Sequence, residues 1–164
     1  MTEWDGTLPT LLAGIVPSAD DWDQITGLLH AVSDARGSYT PSWHGSTSDP
    51  SLGNGTRTGW SLRARALGIA DIGITFGSTT TVGSGTYTFG LPAGWSLANS
   101  GAVIGLAYMR DDSVPTHSLG AVASSGTGAV LIRLHGADLA AHNAPFTWAT
   151  SDSIRLLVIA ELTP

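Results

Sequence analysis

Apolar and polar positions divide the chain into two unlike parts. From Ser38 onward, apolar residues come in short alternating or continuous runs between clusters of Gly, Ser, Thr, Asn and Pro. That pattern predicts an antiparallel, mainly β domain over residues 38–164. The expected strands are Tyr39–Trp43, Thr56–Leu67, Ile69–Phe76, Thr86–Leu91, Ala102–Met109, Leu119–Ser124, Ala129–Leu134 and Ser153–Leu162. In the third, Ile72, Ile74 and Phe76 share one face; in the last, Ile154, Leu156, Val158, Ala160 and Leu162 do. About eight such strands suit a jelly-roll-like β-sandwich. Asn54-Gly55, Gly83-Ser84-Gly85 and Gly126-Thr127-Gly128 carry the turn chemistry between them.

Residues 1–37 follow other rules and are expected to form an extended N-terminal arm and one short α-helix. Trp4, Leu8, Leu11, Leu12, Ile15 and Val16 stand between Gly6, Pro9, Gly14 and Pro17, too broken for a helix and too apolar for a solvated tail. Such a segment needs a surface to lie on, and Trp4, Leu8, Leu11, Leu12, Ile15 and Trp22 are the expected anchors. Ser18 is a good N-cap, with Asp20 and Asp21 placed against the positive end of a helix start. Trp22, Ile25, Leu29 and Val32 then recur at spacings of three, four and three, and Gly37 offers a stop. The stripe fits a short oligomer seam; it fits equally well a helix packed on the following domain, because short isolated helices are marginal.

Composition narrows the function classes. At 164 residues the chain is the size of one domain. It contains no Cys, which removes disulfides, thiolate metal sites and cysteine nucleophiles together. A net charge of −6, with seven Arg as the only basic residues besides His, argues against a phosphate-binding surface, so no nucleic-acid partner is expected. The N-terminus carries acids where a signal peptide would carry bases, and no apolar run approaches the roughly 20 residues of a membrane span. The expectation is a chain made in the cytoplasm without membrane insertion.

The chemistry-bearing residues form no strong constellation. No Gly-x-Ser-x-Gly elbow lies between a strand and a helix, and the only Glu residues, Glu3 and Glu161, stand near the chain ends. Asp111-Asp112 with His117 offers metal-ligand chemistry in a loop, but adjacent carboxylates there are ordinarily just solvated. His135, Asp138 and His142 have a spacing suited to zinc on a helix, in a stretch with little helical character. Arg57, Arg63 and Arg65 alternate opposite Trp60, Leu62 and Ala64, as on a solvent face or subunit contact. Trp43, His44, Trp60, Trp95 and Trp148 could line a sugar-binding surface, although Trp in a small β domain more often fills a core or an interface. Asn54-Gly55-Thr56 matches a glycosylation sequon but reads first as a turn. Neither catalysis nor a cofactor is expected.

Three stretches carry a resemblance: Ser38–Trp43, Pro50–Thr56 and Ile74–Pro92, the last reading Ile-Thr-Phe-Gly-Ser-Thr-Thr-Thr-Val-Gly-Ser-Gly-Thr-Tyr-Thr-Phe-Gly-Leu-Pro. They resemble a β-rich module of minor tail, tail-fibre and head-decoration proteins from phages that infect actinobacteria. The resemblance covers residues 38 to about 92 and extends loosely to the last strand. It implies a structural protein on the virion surface, a homotrimer whose N-terminal part docks on the major capsid protein or a tail protein while the β-domain faces outward. The chain has no repeated shaft or extended heptad region, which favours a compact decoration protein or a small tail-attached spike over a long fibre. The alternative within the same resemblance is a receptor-binding adhesin, its loops around Asp111–His117 or Gly77–Gly85 recognising a host surface glycan.

Overall fold

The computed structural model describes residues 18–20, 22, 23, 26, 36–114, 116–136 and 138–163. Ala19, Asp20, Trp22, Asp23 and Thr26 are helical, with the Trp22 N–H donating to the Ser18 carbonyl at 3.1 Å. Trp22 is 56% exposed. The other expected anchors (Trp4, Leu8, Leu11, Leu12, Ile15) and the rest of the expected seam (Ile25, Leu29, Val32) lie outside the described residues.

The chain is mainly β. Among the described residues the strands are β1 (Arg36–Ser38), β2 (Trp43–Gly45), β3 (Thr56–Ala64), β4 (Leu67–Thr75), β5 (Tyr87–Gly90), β6 (Val103–Asp111), β7 (Thr116–Ser124), β8 (Ala129–Arg133) and β9 (Ser153–Glu161). They form one antiparallel sheet in the order β1-β3-β4-β9-β6-β7-β8-β5-β2. β3–β4 is a hairpin and β6–β7–β8 a meander, with β9 inserted between the two.

Connectivity requires this sheet to curl. Its two edge strands, β1 and β2, are consecutive in the chain and separated only by residues 39–42. Laid flat, nine strands would span nearly 40 Å at about 4.8 Å each, whereas so short a link reaches at most about 17 Å. The link is tied at both ends: the Tyr39 N–H donates to the Gly59 carbonyl of β3, and the Ser42 carbonyl accepts from Gly90 N–H of β5, each at 3.0 Å. Residues 39–42, expected to form a strand with Trp43, are therefore the bridge that draws the edges together. Gly59 makes room for it, since a Cβ there would come within 2.8 Å of both the Tyr39 ring and the Tyr39 carbonyl.

The concave side holds the core. Ala70, Ile72 and Ile74 of β4, Ile154, Leu156, Val158 and Ala160 of β9, Ala107 and Met109 of β6, and Val130 and Ile132 of β8 are all buried there. In β4 and β9 this is the face expected from sequence. Toward β2 and β5 the core becomes aromatic. Trp43 meets Phe76 and Tyr87 edge-on at 5.4 and 5.2 Å, and Phe76 stacks on Trp148 at 4.8 Å. Trp43 and Trp148 are thus packing residues, and the Trp148 indole N–H donates to the Ala141 carbonyl at 2.8 Å.

One buried acid anchors the adjoining loops. The Asp152 carboxylate, with no exposure, accepts from the Asp112 N–H at 2.8 Å and the Ala149 N–H at 2.6 Å, while its carbonyl accepts from Phe76 N–H at 2.9 Å. It ties the start of β9, the end of β4 and the β6–β7 turn to one another. A carboxyl group so placed is tolerated because each of its oxygens accepts from a backbone N–H.

Candidate functional site

The clusters singled out in the sequence are each resolved into separate local bonds. Asp111 accepts from the Ser113 N–H and hydroxyl at 2.9 and 2.6 Å, and those bonds hold its carboxyl below the usual carboxylate range. Asp112 pairs with Arg110, and His117 Nδ1 shares a 2.7 Å hydrogen bond with the Tyr108 hydroxyl. His142 Nδ1 accepts from Gly85 N–H at 3.1 Å, in a segment that forms isolated bridges rather than a helix, so it does not join His135 and Asp138. Among the described residues no group of three His, Asp or Glu side chains converges as metal ligands would.

Two further expectations are corrected. Arg57, Arg63 and Arg65 do not make one solvent face. Arg63 turns to the domain's own backbone, donating to the carbonyls of Arg65, Gly94 and Thr163 at 3.0, 3.3 and 2.9 Å. Arg65 sits in the β3–β4 turn with φ 55°, and Arg57 is only partly exposed. Nor do the proposed aromatic sugar contacts share a surface. Trp43 and Trp148 are buried, Trp95 packs against the core, Trp60 lies under the Arg36 guanidinium at 4.9 Å, and His44 pairs with Asp49 at 3.0 Å. Asn54 reads as a turn residue, as expected: its carbonyl oxygen takes the Thr79 N–H and hydroxyl, both at 2.9 Å.

The feature that sequence reasoning missed is the convex side of the central strands. Register aligns its residues into cross-strand rows. One row runs Thr56, Thr75, Ser153, Arg110 and His117; the next runs Thr58, Gly73, Arg155, Tyr108 and Leu119. The third runs Trp60, Asp71, Leu157, Leu106 and Ala121, and beyond it stand Leu62, Ile69 and Ile159. The surface therefore grades from hydroxyl-rich and charged at one end to apolar at the other.

Leu106 is 70% exposed and Leu119 is 76% exposed, and Leu157, Ile159, Leu67 and Val103 also stand open to solvent. Leu106, Leu119, Leu157 and the Tyr108 ring border a shallow depression of about 380 Å³, with Asp71 and Arg155 at its margin. Those two side chains form a bidentate pair, Nε to Oδ2 at 3.2 Å and Nη2 to Oδ1 at 3.1 Å. Exposed apolar side chains grouped in this way commonly mark an interaction surface. A signal was present in the sequence: Leu-Leu-Val-Ile-Ala over 156–160 is apolar at every position, as in strands covered on both faces.

No helix among the described residues is long and apolar enough to cross a membrane. No protein-family model, curated protein or solved structure matches the chain.

Proposed function

We propose that this chain is a structural protein of a bacteriophage virion, a small decoration protein that assembles as a homotrimer on the capsid or tail. In this reading the curled sheet is a jelly-roll-like sandwich facing outward, and the N-terminal arm, through Trp4, Leu8, Leu11, Leu12, Ile15 and Trp22, holds it to the major capsid protein or a tail protein. Its chemistry is binding.

The observation that carries the reading is the apolar convex face built by Leu106, Leu119, Leu157 and Ile159. We assign its occupant as a second copy of the chain. The edges of the sheet are drawn together by the 39–42 bridge, so association by strand addition is disfavoured and packing of faces remains. Asp71 and Arg155, at the margin of this face, are already paired within the protomer, so an apolar contact beside them strands no isolated charge. Cyclic closure of such contacts would give three arms one common direction, and avidity then exceeds the strength of any single arm.

Sedimentation equilibrium of the full-length chain tests the assembly. The expected mass is three times the 16.8 kDa of one chain, falling to that of one chain in the Leu106→Glu/Leu157→Glu variant. A monomer at tens of micromolar, or a variant that remains trimeric, overturns the assignment of this face. Location is tested separately, by labelling purified phage particles with an antibody to the chain; its absence from the particles overturns the virion reading.

A further inference from the structure

The polar end of the convex face is a different surface from the apolar end, and it is concave. A groove of about 320 Å³ runs over bare backbone at Gly73, between Thr58 and Thr75 on one side and Tyr108 and Arg155 on the other. Gly73 is the one position in its row without a side chain, so the row opens where its neighbours would close it. A glycine inside a strand commonly marks a place where another group approaches the backbone closely.

The lining has a distinct chemistry. Thr56, Thr58, Thr75 and Ser153 supply hydroxyls, each able to donate and accept. Arg110 and Arg155 supply guanidinium N–H groups, and each already has a carboxylate partner, Asp112 and Asp71 respectively. The groove therefore carries guanidinium donors with little net charge. Tyr108 forms an aromatic wall whose hydroxyl is fixed by His117 at 2.7 Å and whose ring lies 5.2 Å from the imidazole. Guanidiniums already neutralised by carboxylates attract a phosphate or carboxylate ligand less than free cations would. The hydroxyls, directional donors and one held aromatic face match a ligand that is polyhydroxylated, uncharged and apolar on its ring faces.

We infer that this groove is a binding site for a neutral carbohydrate, with Tyr108 as the stacking wall and Thr58, Thr75 and Arg155 as the hydrogen-bonding side chains. The site is built from the residues of one protomer, and Tyr108 and Arg155 stand at the margin it shares with the apolar depression. It also differs in place from the Asp111–His117 and Gly77–Gly85 loops, the positions first expected for glycan recognition.

The test uses the full-length chain and isothermal titration calorimetry. The probes are linear tetrasaccharides of glucose, galactose, mannose and N-acetylglucosamine, with tetragalacturonate and inorganic phosphate as charged comparisons. At least one neutral tetrasaccharide is expected to bind, with Kd unchanged between 0.05 and about 0.5 M NaCl because no ion pair forms with the ligand. Tyr108→Ala is expected to weaken it at least tenfold. Thr58→Val/Thr75→Val, which keeps side-chain volume and strand preference, is expected to weaken it about tenfold with the unfolding midpoint of the wild type retained. No binding of any neutral probe at millimolar concentration overturns the proposal. So does binding confined to the charged probes, or neutral binding that survives both variants. The same titration with the Leu106→Glu/Leu157→Glu variant, its mass read in the same samples, separates a groove that does not bind from one that a second copy covers.

Discussion

Strand β9 shows two surfaces made from nearly the same residues. On its concave side Ile154, Leu156, Val158 and Ala160 are buried among β4, β6 and the aromatic cluster. On its convex side Leu157 and Ile159 stand exposed between Arg155 and Glu161. Hydrophobicity alone does not distinguish the two. The concave residues are covered because the sheet curls around them, which one chain accomplishes; covering the convex residues takes a second body. The former should govern whether the domain folds, and the latter what it touches.

The largest separation should come from a matched pair of truncations. Leu156→Ala removes a side chain with no exposure and should cost about 3 to 4 kcal/mol in urea unfolding, the loss of transfer energy plus a cavity. Leu157→Ala, its neighbour on the other side, should cost under about 1 kcal/mol in a protomer diluted below its assembly range. Equal losses would mean that the convex side is part of the folding core, and the comparison would fail.

A smaller effect, still on the folding side, is expected at Asp152. Asp152→Ala leaves the Asp112 and Ala149 N–H groups without their acceptor and should lower stability by about 2 to 3 kcal/mol. Native-state hydrogen exchange would then show the faster opening concentrated in the 149–152 and 111–114 turns. Unchanged exchange in both turns would show that the carboxylate does not hold them.

The smallest effect is one of pH. Asp111 is held below its ordinary range first by the Ser113 hydroxyl and then by backbone N–H groups. A carboxylate with a lowered folded-state pKa contributes stability above its unfolded value, and that contribution is lost as pH falls through the folded value. Asp111→Asn should therefore narrow the stability gap between neutral pH and conditions below about pH 4. A variant whose acid limb is as steep as the wild type's would assign that limb to other carboxylates.

Much of the strand plan was legible because alternation is a local, period-two signal. Ile72 and Ile74 in β4 with Phe76 just past its end, and the even-numbered residues of β9, announce their buried side within a few positions. The candidate site was not legible in the same way. Tyr108, Arg155, Thr58 and Gly73 lie on four strands and become neighbours only through register, which no single stretch of sequence specifies. Sequence proximity also misled at Arg57, Arg63 and Arg65, where regular spacing suggested one face. Arg63 instead reaches carbonyls as distant in the chain as Gly94 and Thr163.

The sequence by itself determined a mainly β chain, several of its turns, and the buried side of β4 and β9, since these follow from local backbone preference and the pleat of a strand; the β3–β4 turn at Arg65-Ala66 fell inside the expected strand Thr56–Leu67. Only the tertiary structure decided that the strands form one curled sheet, because that depends on β9 entering between β4 and β6 and on the 39–42 bridge joining the edges. It also decided which of the two apolar sides of β9 is left for a partner. Burial is a property of the closed sheet, and closure is made by contacts between residues far apart in the chain.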